Sequence, residues 1–174
     1  MKQAFLGSTV LCMLFALAGI AGAQVKVGVV VSATGPAASL GIPEKNTVGL
    51  CSKSMGGKTV EYILLDEASD TTTAVQNVKK VVGEDKVDAI IGTTTTPTTL
   101  AILDVIADGE TPTISLASSI RIIEPVDAKR TWMFKTPQTD VMMAGAILEH
   151  MAKNGVKTIG YVGFNDALGE AFFA

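Results

Sequence analysis

The chain has one histidine and two cysteines in 174 residues, and aromatic side chains make up only 5% of it. Each scarcity closes off a class of function. The single histidine, His150, is too little for a histidine-based metal site. It lies late on a stretch of helical periodicity, where the ordinary role is a helix C-terminal cation or a solvated polar group. No G-x-S-x-G elbow occurs, so no serine is set beside a base and an orienting partner. Hydroxyls without a base do not make a catalyst, and the chain reads as a non-enzyme. Neither G-x-G-x-x-G nor G-x-x-x-x-G-K-[ST] is present, which argues against a nucleotide site. The formal net charge is −3, with no basic cluster, so there is no electrostatic case for nucleic acid. The aromatic groups Trp132-Met133-Phe134 and Phe172-Phe173 read as core residues.

What is present begins with a secretory leader. Lys2 supplies a positive start, residues 5–20 form an apolar run, and Ala21-Gly22-Ala23 is a small-residue cleavage site. Residues 1–23 are therefore expected to be a signal peptide cleaved before Gln24, and the protein is expected in the periplasm. A membrane anchor fits less well, because the run is short, contains Gly7 and Gly19 and lacks a basic stop. A lipoprotein at Cys12 fails too, because Leu11 precedes it where a small residue is needed. Cleavage would leave Cys51 alone, without an intramolecular disulfide partner. It reads as a small hydrophobe in a helix, with pairing between chains as the alternative.

The pattern after the leader is alternating strand and helix. Residues 25–31 are β-branched and nearly continuous, as in a strand buried on both faces. A helix is expected over 37–55, closed by Gly56-Gly57, followed by a strand over 59–65. Asp70 and Thr71 to Thr73 offer caps for a helix with Val75, Val78, Val81 and Val82 at helical spacing. Strands over 87–91 and 111–115 flank a helix over 98–107. Residues 116–130 break the rhythm, and a short strand follows at 132–135. Thr139 or Asp140 caps a helix ending at Asn154-Gly155, and 156–162 reads as another buried strand. The class is α/β, with an open, mostly parallel sheet and helices on both faces.

Three apolar runs end in small hydroxyl residues: Ser32-Ala33-Thr34-Gly35-Pro36, Thr93-Thr94-Thr95-Thr96-Pro97 and Ser115-Leu116-Ala117-Ser118-Ser119. In an open parallel sheet these ends face one crevice, where ligands bind. Thr96, just before Pro97, suits a helix start whose N–H groups and hydroxyl attract a carboxylate. The Ala117 carbonyl can accept from an ammonium, with the Ser119 hydroxyl beside it. Together these would suit an α-amino acid. A plain polar loop accounts for one such run alone, less readily for three on one edge.

The order and spacing of Val27-Gly28-Val29-Val30, Thr34-Gly35-Pro36-Ala37-Ala38-Ser39-Leu40-Gly41, Leu65-Asp66-Glu67-Ala68-Ser69-Asp70, Ile90-Ile91-Gly92 with its threonines, and Ile114-Ser115-Leu116-Ala117 resemble the branched-chain amino acid type of periplasmic substrate-binding proteins of ABC transporters. The likeness extends through Phe134-Lys135-Thr136-Pro137 to the turn at 163–169. It implies a periplasmic-binding-protein type I fold, a monomeric two-lobed receptor that closes on a small ligand without a cofactor and passes it to an inner-membrane permease. It also implies that Thr96 binds the ligand carboxylate and that Ala117 and Ser119 hold its ammonium and carboxylate. Leu40 stands where some members put an aromatic ring over the ligand side chain and Leu168 where many have a tyrosine; related receptors bind amides or aromatic acids, which are the alternative ligands. Ser69 and Thr95 lie near the positions of a disulfide in some members. Members are about twice this length, so residues 24–135 are expected to form the first lobe and 136–174 the crossover and opening of a second lobe that is largely missing. A sensory input domain of the same fold is the alternative from another class.

Overall fold

The computed structural model describes residues 24–173. The expected signal peptide at 1–23, with Cys12, lies outside them. A six-stranded sheet has the order β2-β3-β1-β4-β5-β6. Its strands are β1 (Val25–Val31), β2 (Ser54–Met55), β3 (Lys58–Asp66), β4 (Ala89–Gly92), β5 (Thr113–Ser115) and β6 (Met133–Lys135). Every pairing is parallel except the short β2–β3 hairpin. The helices are α1 (Ala38–Val48), α2 (Thr71–Gly83), α3 (Thr96–Ala101), α4 (Leu103–Gly109), α5 (Asp140–Lys153) and α6 (Ala167–Phe173). The chain turns from β1 to β3 on one side and to β4 on the other, so a topological switch point lies between β1 and β4.

Local chemistry explains the central elements. The α2 helix starts where the Asp70 carboxylate accepts from the Thr73 N–H (2.7 Å) and the Thr73 hydroxyl (2.8 Å). Ala74, Val78 and Val81 recur on one face and are fully buried against the sheet. Gly28 of β1 permits that approach: a Cβ there would meet Val81 at 3.3 Å. The core is aliphatic and continues through Val30, Ile90, Ile102, Ile106, Ile122 and Met133. Burying one such side chain is worth about 1.5–3 kcal/mol, so this cluster anchors the sheet.

The structure corrects the expected layout in three places. The first helix ends at Val48 and not at residue 55. Gly56 and Gly57, both at positive φ, form the tight turn of the β2–β3 hairpin, the backbone that two-residue hairpin turns require. The helix expected over 98–107 is two short helices, α3 and α4, that meet at Ile102. Residues 156–162, expected as a buried strand, join no ladder among the described residues, and Val162 is 99% exposed. An apolar run becomes a strand only where another strand offers its backbone groups.

Candidate ligand-binding site

The carboxyl ends of β1, β3, β4 and β5 converge on a cavity of about 610 Å³. Pro36, Ala37, Ser39, Leu40 and Ser69 line one side, and Thr94 to Pro97 form the middle. Leu116 to Ser118 lie beyond them, and Phe164, Asp166 and Leu168 come from the end of the chain. The backbone sets this layout. Gly35 has φ +78°, and a Cβ on it would meet the Ala68 carbonyl at 2.1 Å. The Ser69 hydroxyl holds the same turn by donating to the Thr34 carbonyl (3.2 Å) and accepting from the Ala37 N–H (3.0 Å). Gly41 lets α1 reach the end of β1, since a Cβ there would lie 2.0 Å from the Ser32 carbonyl.

Most hydroxyls around the crevice are spent on one another. Thr95 and Thr98 form a reciprocal capping box at the start of α3. Thr99 links Thr93 (2.8 Å) to Ser115 (2.9 Å), and the Ser115 hydroxyl accepts from the Ala117 N–H (3.1 Å). Thr94 accepts from the Ser32 N–H (2.8 Å) and donates to Glu44 (2.6 Å). Among the buried hydroxyls Thr96 is the exception. It is 1% exposed, and its hydroxyl has no protein partner. Thr96 lines the cavity, and its hydroxyl is a buried polar group left unsatisfied by the protein.

Of the five residues singled out in the sequence, Leu40, Thr96, Ala117 and Leu168 line this one cavity. Leu40 is exposed, Leu168 is half-buried and Ala117 is buried. Ser119 does not line it. Its hydroxyl accepts from the Arg121 N–H (3.3 Å) and caps the 3-10 turn Ile120–Ile122. The α6 segment reaches the cavity because α6 packs on α3 and α5. Asp166 sets its start, with Oδ1 accepting from the N–H groups of Leu168 and Gly169, both at 3.0 Å.

Sequence reasoning missed Glu67. This acid follows β3, is fully buried, and accepts at Oε1 from Ser32 Oγ (2.8 Å), the Thr94 N–H (3.2 Å) and Thr98 Oγ1 (3.2 Å). Burial outweighs these bonds and pushes its carboxyl up to about 7. Burial also raises Glu44, against the Thr94 hydrogen bond. Neighbouring Asp66 goes the other way. Its desolvation is outweighed by donors from Ala68, Thr34 and Ala33, which hold it below the usual range. The sequence signal for Glu67 was an acid set directly after an apolar strand, next to an N-capping Asp70.

The crevice at the switch point of an open parallel sheet, lined by hydroxyls and leucines, defines a candidate ligand-binding lobe. The chain belongs to the periplasmic binding protein family, whose profile matches residues 24–174. No curated protein matches it. Among solved structures it is similar to an extracellular ligand-binding receptor from Rhodopseudomonas palustris HaA2, with 42% identity and a TM-score of 0.84. That match covers 87% of this chain and 42% of the receptor. It is also similar to a solute binding protein of an ABC transporter from R. palustris BisB5 in complex with 3,4-dihydroxy benzoic acid. There the identity is 27% and the TM-score 0.79, over 86% of this chain and 42% of that one. A leucine binding protein from Thermotoga maritima MSB8 shares the fold at 22% identity and a TM-score of 0.68, over 75% of this chain and 37% of that protein. The chain thus spans about two-fifths of the length of the structures it resembles. These relatives are ligand-binding proteins, and none is described as an enzyme.

Proposed function

We propose that this protein is the exported solute receptor of an ABC importer and acts as a monomer. On this reading it takes a small carboxylate with an apolar body, first of all an aliphatic α-amino acid, and passes it to an inner-membrane permease. Residues 24–135 would then supply the first lobe, and 136–174 the crossover into a second. The observation that carries the reading is the buried Thr96 hydroxyl without a protein partner on the cavity wall. With the Thr98 and Thr99 N–H groups of the same helix start already spent on Thr95, the Thr96 hydroxyl is the group this reading assigns to a ligand carboxylate. Ala117 and Asp166 also line the cavity and suit an ammonium group on this reading, while Leu40, Phe164 and Leu168 offer an apolar wall.

An aromatic acid is the second reading. It is favoured by the complex of the 27% identical receptor with 3,4-dihydroxy benzoic acid. Calorimetry on the full-length protein with leucine, isoleucine, valine and 3,4-dihydroxybenzoate separates the two. For whichever solute binds, Thr96→Val is expected to weaken affinity by about 1–3 kcal/mol, the cost of losing a hydrogen bond to a charged group. Unchanged affinity would remove Thr96 from the site.

A further inference from the structure

The most unusual group near the cavity is one that no ligand would touch directly. Glu67 is 0% exposed, yet none of the ion pairs among the described residues involves it. An ionised carboxylate buried without a cation is costly to keep. The hydrogen bonds are also one-sided. Oε1 takes three donors, from Ser32 after β1, Thr94 after β4 and Thr98 on α3, whereas Oε2 has no partner. A carboxylate spreads its charge over both oxygens and calls for donors at each. A neutral acid has one carbonyl oxygen, which accepts, and one hydroxyl.

We infer that Glu67 works as a neutral carboxylic acid, a positioning residue whose single accepting oxygen ties the ends of β1 and β4 to the start of α3. It thereby fixes the Thr94 to Thr98 turn that carries Thr96. This inference rests on the solute-receptor reading for its link to binding, but the protonation of Glu67 stands apart from it.

The charges around Glu67 favour the proton. From α1 comes Glu44, which shares Thr94 with it: the Thr94 N–H donates to Glu67 and the Thr94 hydroxyl to Glu44. From β1, β4 and α3 come only the neutral Ser32, Thr94 and Thr98. Along its own connection, Asp66 is spent on Thr34 and Ala68, and Asp70 on Thr73. A second negative charge beside Glu44 raises the cost of ionising Glu67 further, consistent with a carboxyl pushed up to about 7. The sign follows from proton binding. Between its ordinary value of 4.5 and about 7, the folded state holds a proton that the unfolded state has lost. Stability from this group is present at low pH and falls as pH rises through that window.

The test compares wild type, Glu67→Gln and Glu67→Ala in the full-length protein. Glutamine keeps an accepting oxygen and cannot ionise; alanine leaves three donors without a partner. Denaturant unfolding is followed from about pH 5 to pH 8 without ligand, and leucine and 3,4-dihydroxybenzoate are titrated calorimetrically at pH 6 and pH 8. Wild type is expected to lose stability relative to Glu67→Gln as pH rises towards about 7. At pH 6 the glutamine variant is expected to bind within about twofold of wild type, and the alanine variant about tenfold or more weaker. Parallel stability profiles for wild type and Glu67→Gln overturn the inference, as does a glutamine variant that loses as much affinity as alanine. If wild type binds neither solute, the solute reading fails instead, and the unfolding profiles still decide the protonation of Glu67.

Discussion

Two segments of this chain look alike on paper and behave as opposites. Residues Val25–Val31 read V-K-V-G-V-V-V, and residues 156–162 read V-K-T-I-G-Y-V. The first is the central strand of the sheet, hydrogen-bonded to β3 on one side and β4 on the other, with Val29, Val30 and Val31 fully buried. The second pairs with nothing among the described residues, and Val156, Ile159, Tyr161 and Val162 are exposed. Strand propensity describes how well a side chain fits a pleated, half-buried surface and does not create that surface. The first segment has α2 across one face and two parallel neighbours. The second is tethered mainly by the Tyr161 hydroxyl, which donates to the Gly169 carbonyl (2.9 Å), and by the Tyr161–Phe173 ring contact at 5.9 Å.

Placing the same charge in each segment is the sharpest way to break that contrast. Val30→Asp buries an unpaired carboxylate in the core and is expected to cost ~4 kcal/mol or more in denaturant unfolding. Val162→Asp on the exposed segment should change stability by no more than about 0.5 kcal/mol. Equal losses would mean that residues 156–162 are packed in solution.

A glycine pair sharpens the comparison with a smaller effect. Gly41→Ala would set a Cβ 2.0 Å from the Ser32 carbonyl, so α1 must shift away from the crevice. The expected cost is about 1–3 kcal/mol, as for other overpacked sites, together with weaker solute binding. Gly145→Ala lies within α5, where an added Cβ meets nothing within 4 Å. It should stabilise by about 0.4–1 kcal/mol through helix propensity and a less flexible unfolded chain. Thermal melts of the two variants check both signs. An effect of similar size belongs to the cap of α5, where the Thr139 hydroxyl accepts from the Met142 N–H (3.1 Å). Thr139→Ala should cost about 1 kcal/mol if α5 unfolds with the rest, and almost nothing if α5 frays independently.

Much of the fold was legible because its signals are local. The alternation of β-branched runs with amphipathic stretches identified a parallel α/β sheet, and β1, β3, β4 and β5 fall within a residue or two of their expected places. Asp70 and Thr139 were recognisable as caps because capping needs only a side-chain oxygen and the next turn. Gly56-Gly57 was misread because two glycines stop a helix or turn a hairpin equally well. The partner strand decides between them, and it lies within the same loop. At the site, hydroxyl-rich strand ends pointed to the crevice. They did not reveal which hydroxyls were already taken: Ser119 caps a turn, Thr99 bridges Thr93 and Ser115, and Thr96 is left over.

The amino-acid sequence by itself determined the class of fold and the strand ends at which a ligand site could form. Periodicity, capping and composition act over a few residues and can be read along the chain. Tertiary structure alone decided which apolar run becomes a strand, which hydroxyl stays unpaired, and that Glu67 is buried against Glu44, Thr94 and Thr98. Those outcomes depend on groups far apart in sequence competing for the same partners, and burial sets the cost of leaving any of them unsatisfied.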